Sequence, residues 1–348
     1  MDLSAALRGL PKAELHQHID GSMRPETAVE LAASAGISLS AEEAQQRMVG
    51  PKRCADQAEL LGFFDLPISL LQSAPALRRV TGELVDMLVS DGVTYAELRW
   101  APRLHLSGGL SVREVIAAVA SGVADARGRH PTTAPLIGLI VTAMRQHPPL
   151  ANLELAEVAA AFGPPVIGFD LAGPEATFPA PPHAAAFRAA RDGGLSLTAH
   201  AGEVPGAQRV REALDFGVRR IAHGVTAVDD PDLLAQLQAR DVTLDMCPTS
   251  NVQAGIVRDL AAHPLGALHR AGVSVTISTD DRTVTGTTLS AEMARTAAAQ
   301  SLSPAELAVI AVNGFRRAFT PPPVVAPLLN AAQQAWSAWA AHAASMAG

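Results

Sequence analysis

A chain of 348 residues with 48% hydrophobic and 18% charged residues can bury a sizeable core and carries too few charges for a disordered polymer. Its formal net charge of −7 argues against a nucleic-acid backbone binder, which presents a basic face. Two cysteines, Cys54 and Cys247, make no disulfide framework, no apolar run reaches the ~18 residues of a membrane span, and no signal-peptide core follows Met1, so the expected address is the cytoplasm.

The first predicted strand, 14–19, opens a series of eight short apolar or β-branched runs; the others are 93–100, 136–142, 166–171, 195–200, 220–223, 242–247 and 273–279. Between them lie alanine-rich stretches with helical spacing of apolar residues. Three begin with a capping box: Ser40 with Glu43, Ser111 with Glu114, and Ser303 with Glu306. Pro304 falls at a first helical position, where its missing N–H costs nothing. Strands alternating with helices give a parallel sheet with helices outside, and eight such units fit an α/β fold of the (β/α)8 TIM-barrel type. A doubly wound open sheet competes, but no G-x-G-x-x-G follows the first strand to support it. The chain reads as one domain over 1–348. A helical lid insertion follows the first strand over 22–80, and the prolines at 321–323 set off a C-terminal helix over 324–348. Trp336 and Trp339, at i and i+3, give that helix an apolar stripe expected to face its own domain.

In such a barrel catalytic groups gather at the C-terminal ends of the strands. The first run ends in His16, Gln17 and His18; side chains two apart on a strand share a side, so two imidazoles converge. The fifth run leads through His200 to Glu203, the sixth ends in His223 and Gly224, and the eighth in Thr279, Asp280 and Asp281. Any one of these endings is an ordinary turn or a structural histidine. Four together on the face where sites form indicate a metal centre. His16, His18, His200 and Asp280 would supply nitrogen and oxygen donors without thiolate. That set suits one Zn2+ per chain, with iron, cobalt or nickel as substitutes. A second metal would need a bridging group, and the fourth run, VIGFDLAG, has no lysine to provide one. Glu203 is placed to deliver a proton, and His223 and Asp281 to orient and deprotonate a water. The last role requires a turn at Asp280 and Asp281, because consecutive strand residues point opposite ways. Cys247 reads as a small buried apolar residue, and Phe63 and Phe64 as packing residues.

Six motifs, in this order, resemble the adenosine deaminase family of the amidohydrolase superfamily: LPKAELHQHIDG at 10–21, DLAGPE at 170–175, HAGE at 200–203, RIAHG at 220–224, CPTSN at 247–251 and STDD at 278–281. The resemblance implies zinc-dependent hydrolytic deamination of a small-molecule purine nucleoside, adenosine or deoxyadenosine foremost. The chemistry implied is hydroxide addition at C6, a tetrahedral intermediate and loss of ammonia. It matches His16, His18, His200 and Asp280 to the zinc ligands, Glu203 to the proton donor at purine N1, and His223 to the group that orients or deprotonates the water. Asp281 matches a carboxylate touching the water and ring N7, Asp20 a ribose 5′-hydroxyl contact, and the Gly173 N–H a donor to N3; His18 also counts among the substrate contacts. CPTSN is closer to the nucleoside branch than to the free-base branch, and no arginine cluster favours a nucleotide. Adenine, modified adenosines and aminofutalosine-type nucleosides are the alternative substrates, and a catalytically silent purine-binding relative is the alternative of another class. Cytidine-type zinc deaminases carry H-x-E and P-C-x-x-C instead. Arg282 stands where many relatives have proline, which alters the loop after the eighth strand, near the pocket.

Overall fold

Runs that are apolar on both faces suit strands covered on both sides, and all eight form strands in a computed structural model describing residues 3–347. They are β1 (Lys12–His18), β2 (Val93–Trp100), β3 (Leu136–Met144), β4 (Val166–Ala172), β5 (Ser196–Ala201), β6 (Arg220–His223), β7 (Thr243–Met246) and β8 (Ser274–Ile277). Neighbours pair in parallel in chain order from β1 to β8, with helices in the intervals, as in a TIM barrel. The ring is completed at a single bridge between Gln17 and Asp280. There the His18 N–H donates to the Asp280 carbonyl at 2.8 Å, and the Asp280 N–H to the His16 carbonyl at 3.0 Å.

The three capping boxes are formed as the sequence predicts. At the N-terminal end of the barrel the interior is charged. Arg220 of β6 pairs with Glu97 of β2 and lies 2.8 Å from Asp245 of β7, while its guanidinium stacks 3.6 Å over the Phe319 ring. These charges are fully buried and therefore need one another. They plug that end and leave the opposite mouth open for chemistry.

Between β1 and β2 run the helices Pro25–Ser34, Ala41–Met48, Gln57–Leu61 and Asp65–Leu70, followed by Ala74–Ser90, which packs on Val112–Arg129 and leads into β2. The last helix, Pro322–Ala347, starts inside the proline run, so those prolines build its first turn and are not a spacer. Its Trp336 is buried and donates from Nε1 to the Pro11 carbonyl at 2.7 Å, with Trp339 edge-on at 5.3 Å. The terminal helix thus faces its own barrel, just below β1. Among the described residues no helix is long and apolar enough to cross a membrane.

Candidate metal centre and active site

β1 sends His16 and His18 to one side, and the ends of β5 and β8 bring His200 and Asp280 against them. The Nε2 atoms of His16 and His18 lie 3.3 Å apart, those of His16 and His200 3.1 Å, and those of His18 and His200 3.2 Å. Asp280 Oδ1 is 3.0 Å from His16 Nε2 and 3.4 Å from His18 Nε2. Burial holds His16 well below the usual imidazole range and His18 down at about 3, so both rings are neutral. His200 turns Nδ1 to the Asp170 carboxylate at 3.2 Å, which places its proton there and points the Nε2 lone pair into the cluster. Burial opposes ionisation of Asp170, but His200 and the Arg99 guanidinium, 3.2 Å away, outweigh it and keep the carboxyl well below its ordinary range. Lone pairs facing one another at these distances have too few protons to share. A divalent cation satisfies all four donors, so the residues fit a metal.

The turn required at the end of β8 is present. Asp280 adopts φ +63°, in the left-handed region, so that Asp280 and Asp281 both reach the site. His223 is also left-handed, at φ +69°. Strain of this kind, roughly 1–3 kcal/mol for a non-glycine residue, collects at functional sites.

The His223 tautomer follows from a chain of bonds that begins at a backbone donor. The Leu265 N–H donates to His263 Nδ1 at 3.3 Å, so His263 carries its proton on Nε2 and donates to Asn251 Oδ1 at 3.0 Å. The Asn251 amide then donates to His223 Nδ1 at 3.0 Å. Burial keeps His223 below its ordinary pKa, hence neutral, and its remaining proton sits on Nε2. That N–H faces Glu203 Oε1 at 3.5 Å and Asp280 Oδ2 at 3.8 Å.

Glu203 is held from behind: the Glu175 carboxylate accepts the N–H groups of Gly202 and Glu203, both at 2.8 Å. Burial, reinforced by Glu175 and Asp280 against His200, pushes the Glu203 carboxyl up to about 8, so it carries a proton at neutral pH. Asp281 is driven well above its ordinary range by burial and by the Asp280 and Asp20 carboxyls. Asp20, raised to about 6 by burial, lies 3.8 Å from His105 Nε2.

Three of the four donors open, together with the carboxyl groups of Asp20, Glu203 and Asp281 and with His223, on one cavity of about 340 Å³ at the C-terminal mouth. Its wall includes His18, Asp20, Gly173, His200, Glu203, His223, Asp280 and Asp281, with Leu60, Leu61 and Phe64 over them from the β1–β2 segment. Phe63 and Phe64 also pack on a small cluster of Cys54, Leu60, Ala254 and Val284. Cys247 is buried, and burial pushes its thiol well above the usual range.

Arg282 is not on the cavity wall. It turns away beneath β1, donating from Nε to Gln17 Oε1 at 2.9 Å and from Nη2 to Asp91 at 3.0 Å. Gln17, whose side chain points opposite to His16 and His18, in turn donates to the Asp280 carbonyl at 3.1 Å and to Ser22 at 2.6 Å. Glu14, buried and pushed up to about 7 by that burial although Arg282 opposes it, accepts from Thr279. This polar layer ties the two ligand-bearing ends of β1 and β8 together. Gln17, Arg99, Asp170, Asn251 and His263 have supporting parts that sequence reasoning missed. Asp170 and Asn251 at least fall inside recognisable motifs; His263 and Arg99 carry no local signal.

A profile of the family described as Adenosine deaminase matches residues 11–335. The chain is similar to an adenosine deaminase of Mycobacterium sp. (strain JLS), 38% identical over 330 residues that cover 89% of this chain and 91% of that one. Among solved structures it resembles the adenine deaminase of Arthrobacter aurescens, with TM-score 0.86 and 28% identity over 93% of this chain and 98% of the other. It also resembles an amidohydrolase of Burkhoderia ambifaria with bound Zn, with TM-score 0.87 and 25% identity over 99% and 94%.

Proposed function

The chain belongs to the adenosine deaminase family and is a hydrolytic deaminase, and from that premise we propose that it converts adenosine or deoxyadenosine to the inosine counterpart and ammonia, using one zinc ion held by His16, His18, His200 and Asp280. Support comes above all from one juxtaposition: a neutral Glu203 carboxyl faces the same cavity of about 340 Å³ as His18, His200 and Asp280, three members of the four-donor cluster. A divalent ion at the four donors would make hydroxide available at neutral pH and offset the repulsion that keeps Asp281 protonated.

The chain's own groups divide the remaining work. Glu203 donates its proton to purine N1, which makes C6 electrophilic. His223, whose Nε2 carries a hydrogen, donates to the attacking oxygen and orients it, leaving Asp281 to take the proton. The Gly173 N–H serves N3, Asp20 a sugar hydroxyl, and His18 and Asp281 border the bound ring. The helical segment over 22–80 acts as the lid of this single deaminase domain.

A nucleoside is favoured over a nucleotide by charge. Among the described residues the cavity wall has no lysine or arginine, while Asp20, Asp65, Glu203, Asp280 and Asp281 all contribute carboxyl groups. A phosphate would find no cationic side chain on this wall to pair with. Adenine and modified adenosines are the next substrates to compare. The two free, buried cysteines suit a reducing cytoplasm. The direct test is zinc-loaded protein with adenosine, followed by the ultraviolet change as amine becomes carbonyl, beside adenine and adenosine monophosphate. Adenosine turnover at the highest kcat/KM supports the proposal; turnover of another 6-aminopurine alone refutes adenosine as substrate.

A further inference from the structure

The helix Gln57–Leu61 touches the chemistry at one polar point. Gln57 Nε2 donates to Glu203 Oε2 at 2.9 Å, across 146 positions of sequence. The other carboxyl oxygen, Oε1, is the one that faces His223 at 3.5 Å. The start of the helix is fixed in place. Asp56 caps it, accepting from the Glu59 N–H at 3.0 Å. The Cys54 N–H donates to the Gln253 carbonyl at 2.7 Å, and Leu60 is buried in the cluster with Ala254 and Val284. Gln57 therefore reaches Glu203 from an anchored frame.

Two consequences follow from elementary hydrogen-bond chemistry. A neutral carboxyl has one O–H and one oxygen that only accepts. An amide NH2 can only donate, so it marks Oε2 as the accepting oxygen; the His223 N–H, 3.5 Å from Oε1, makes no hydrogen bond to it, and Oε1 is left to carry the proton toward the site. The same contact is also a partition. A second cavity of about 560 Å³, walled on its far side by Thr226, Asp229 and Ile256, shares Gln57, Leu61, Pro174 and Glu203 with the substrate cavity. Parting the Gln57–Glu203 contact would join the two.

We propose that Gln57 is a positioning residue of the deamination: it fixes the acid proton of Glu203 on the oxygen that faces substrate and closes the substrate cavity off from its neighbour. The inference rests on the proposed function. The test compares wild-type protein with Gln57→Leu, which keeps the bulk but removes the donor, and Gln57→Glu, which keeps the shape but offers an acceptor. For each, kcat and KM for adenosine, dissociation of inosine, and the melting temperature are measured. Both variants are expected to lose kcat about 10- to 100-fold through a misdirected acid. KM, inosine binding and melting temperature should stay near the wild-type values, KM within about twofold. Unchanged kcat in either folded variant overturns the proposal. So does a rise in KM and inosine dissociation at constant kcat, which would make Gln57 only part of the cover. Absence of turnover by the wild-type protein with every 6-aminopurine instead overturns the function itself, and the inference falls with it.

Discussion

A methyl group on the α-carbon of Gly21 would lie 1.9 Å from Oδ1 of Asp281, closer than any packed atoms can come. That oxygen is buried and has no hydrogen-bond partner among the described residues, so the close fit against Gly21 sets where it stands. Gly21→Ala should displace Asp281 and lower kcat by about 100-fold, since an ångström of misplacement costs that much. Steady-state kinetics beside circular dichroism will check it; an active Gly21→Ala enzyme would show that Asp281 is not required where it stands.

For Glu203 as the proposed acid, the protonated form is the competent one. Burial, then Glu175 and Asp280 working against His200, sets its pKa at about 8. The proton is in place below that value and lost above it. The kcat/KM profile should therefore fall on the alkaline side near pH 8, about tenfold per unit. Glu203→Gln should lose roughly 10²- to 10⁴-fold in kcat and show no such limb in its residual rate.

The relay from His263 through Asn251 makes His223 a donor at Nε2. Asn251→Asp puts an acceptor opposite Nδ1, which moves the His223 proton to that side. The expected cost is about 10- to 100-fold in kcat, as for other residues that orient an active imidazole. Nitrogen NMR of the His223 ring reads the tautomer directly; an unchanged spectrum would refute the relay.

Arg282 is buried against Asp91 at 3.0 Å and cross-links Gln17. Arg282→Met leaves Asp91 without its countercharge and should destabilise the fold by about 3–5 kcal/mol in denaturant titrations. Metal affinity should weaken as well, because Gln17 bonds to the Asp280 carbonyl beside two ligands. Loss of stability with undiminished metal affinity would mean the layer supports the barrel and not the centre.

Stripping the metal with a chelator should abolish turnover and lower the unfolding free energy by about 4 kcal/mol relative to zinc at a thousandfold excess over its Kd. Calorimetry with and without added zinc measures the difference.

The barrel was legible because each strand is covered on both faces and reads as a continuous apolar run, and the cluster of candidate metal donors because strand alternation puts His16 and His18 on one side. β7 and β8 are shorter than the runs 242–247 and 273–279 suggest. At β8 the left-handed turn at Asp280 stops the ladder and lets the chain return to β1 at Gln17. From its place in the sequence Arg282 alters the loop after the eighth strand, near the pocket, yet its long side chain finds Asp91, a partner no local pattern announces. Gln57 and His263 were invisible for the same reason: each acts through a contact made only once distant segments are packed.

Gln17 and Asp280 stand 263 positions apart, and their bridge is the seam at which the ring of strands shuts. The metal donors straddle that seam, two imidazoles on the first strand and a carboxylate just past the last. Contacts so remote in sequence are entropically expensive and slow to form. A half-made barrel therefore offers no complete set of donors, and the ion can be captured only after the circuit is whole. Metal uptake becomes a checkpoint on completed folding, and the captured ion a rivet that resists reopening.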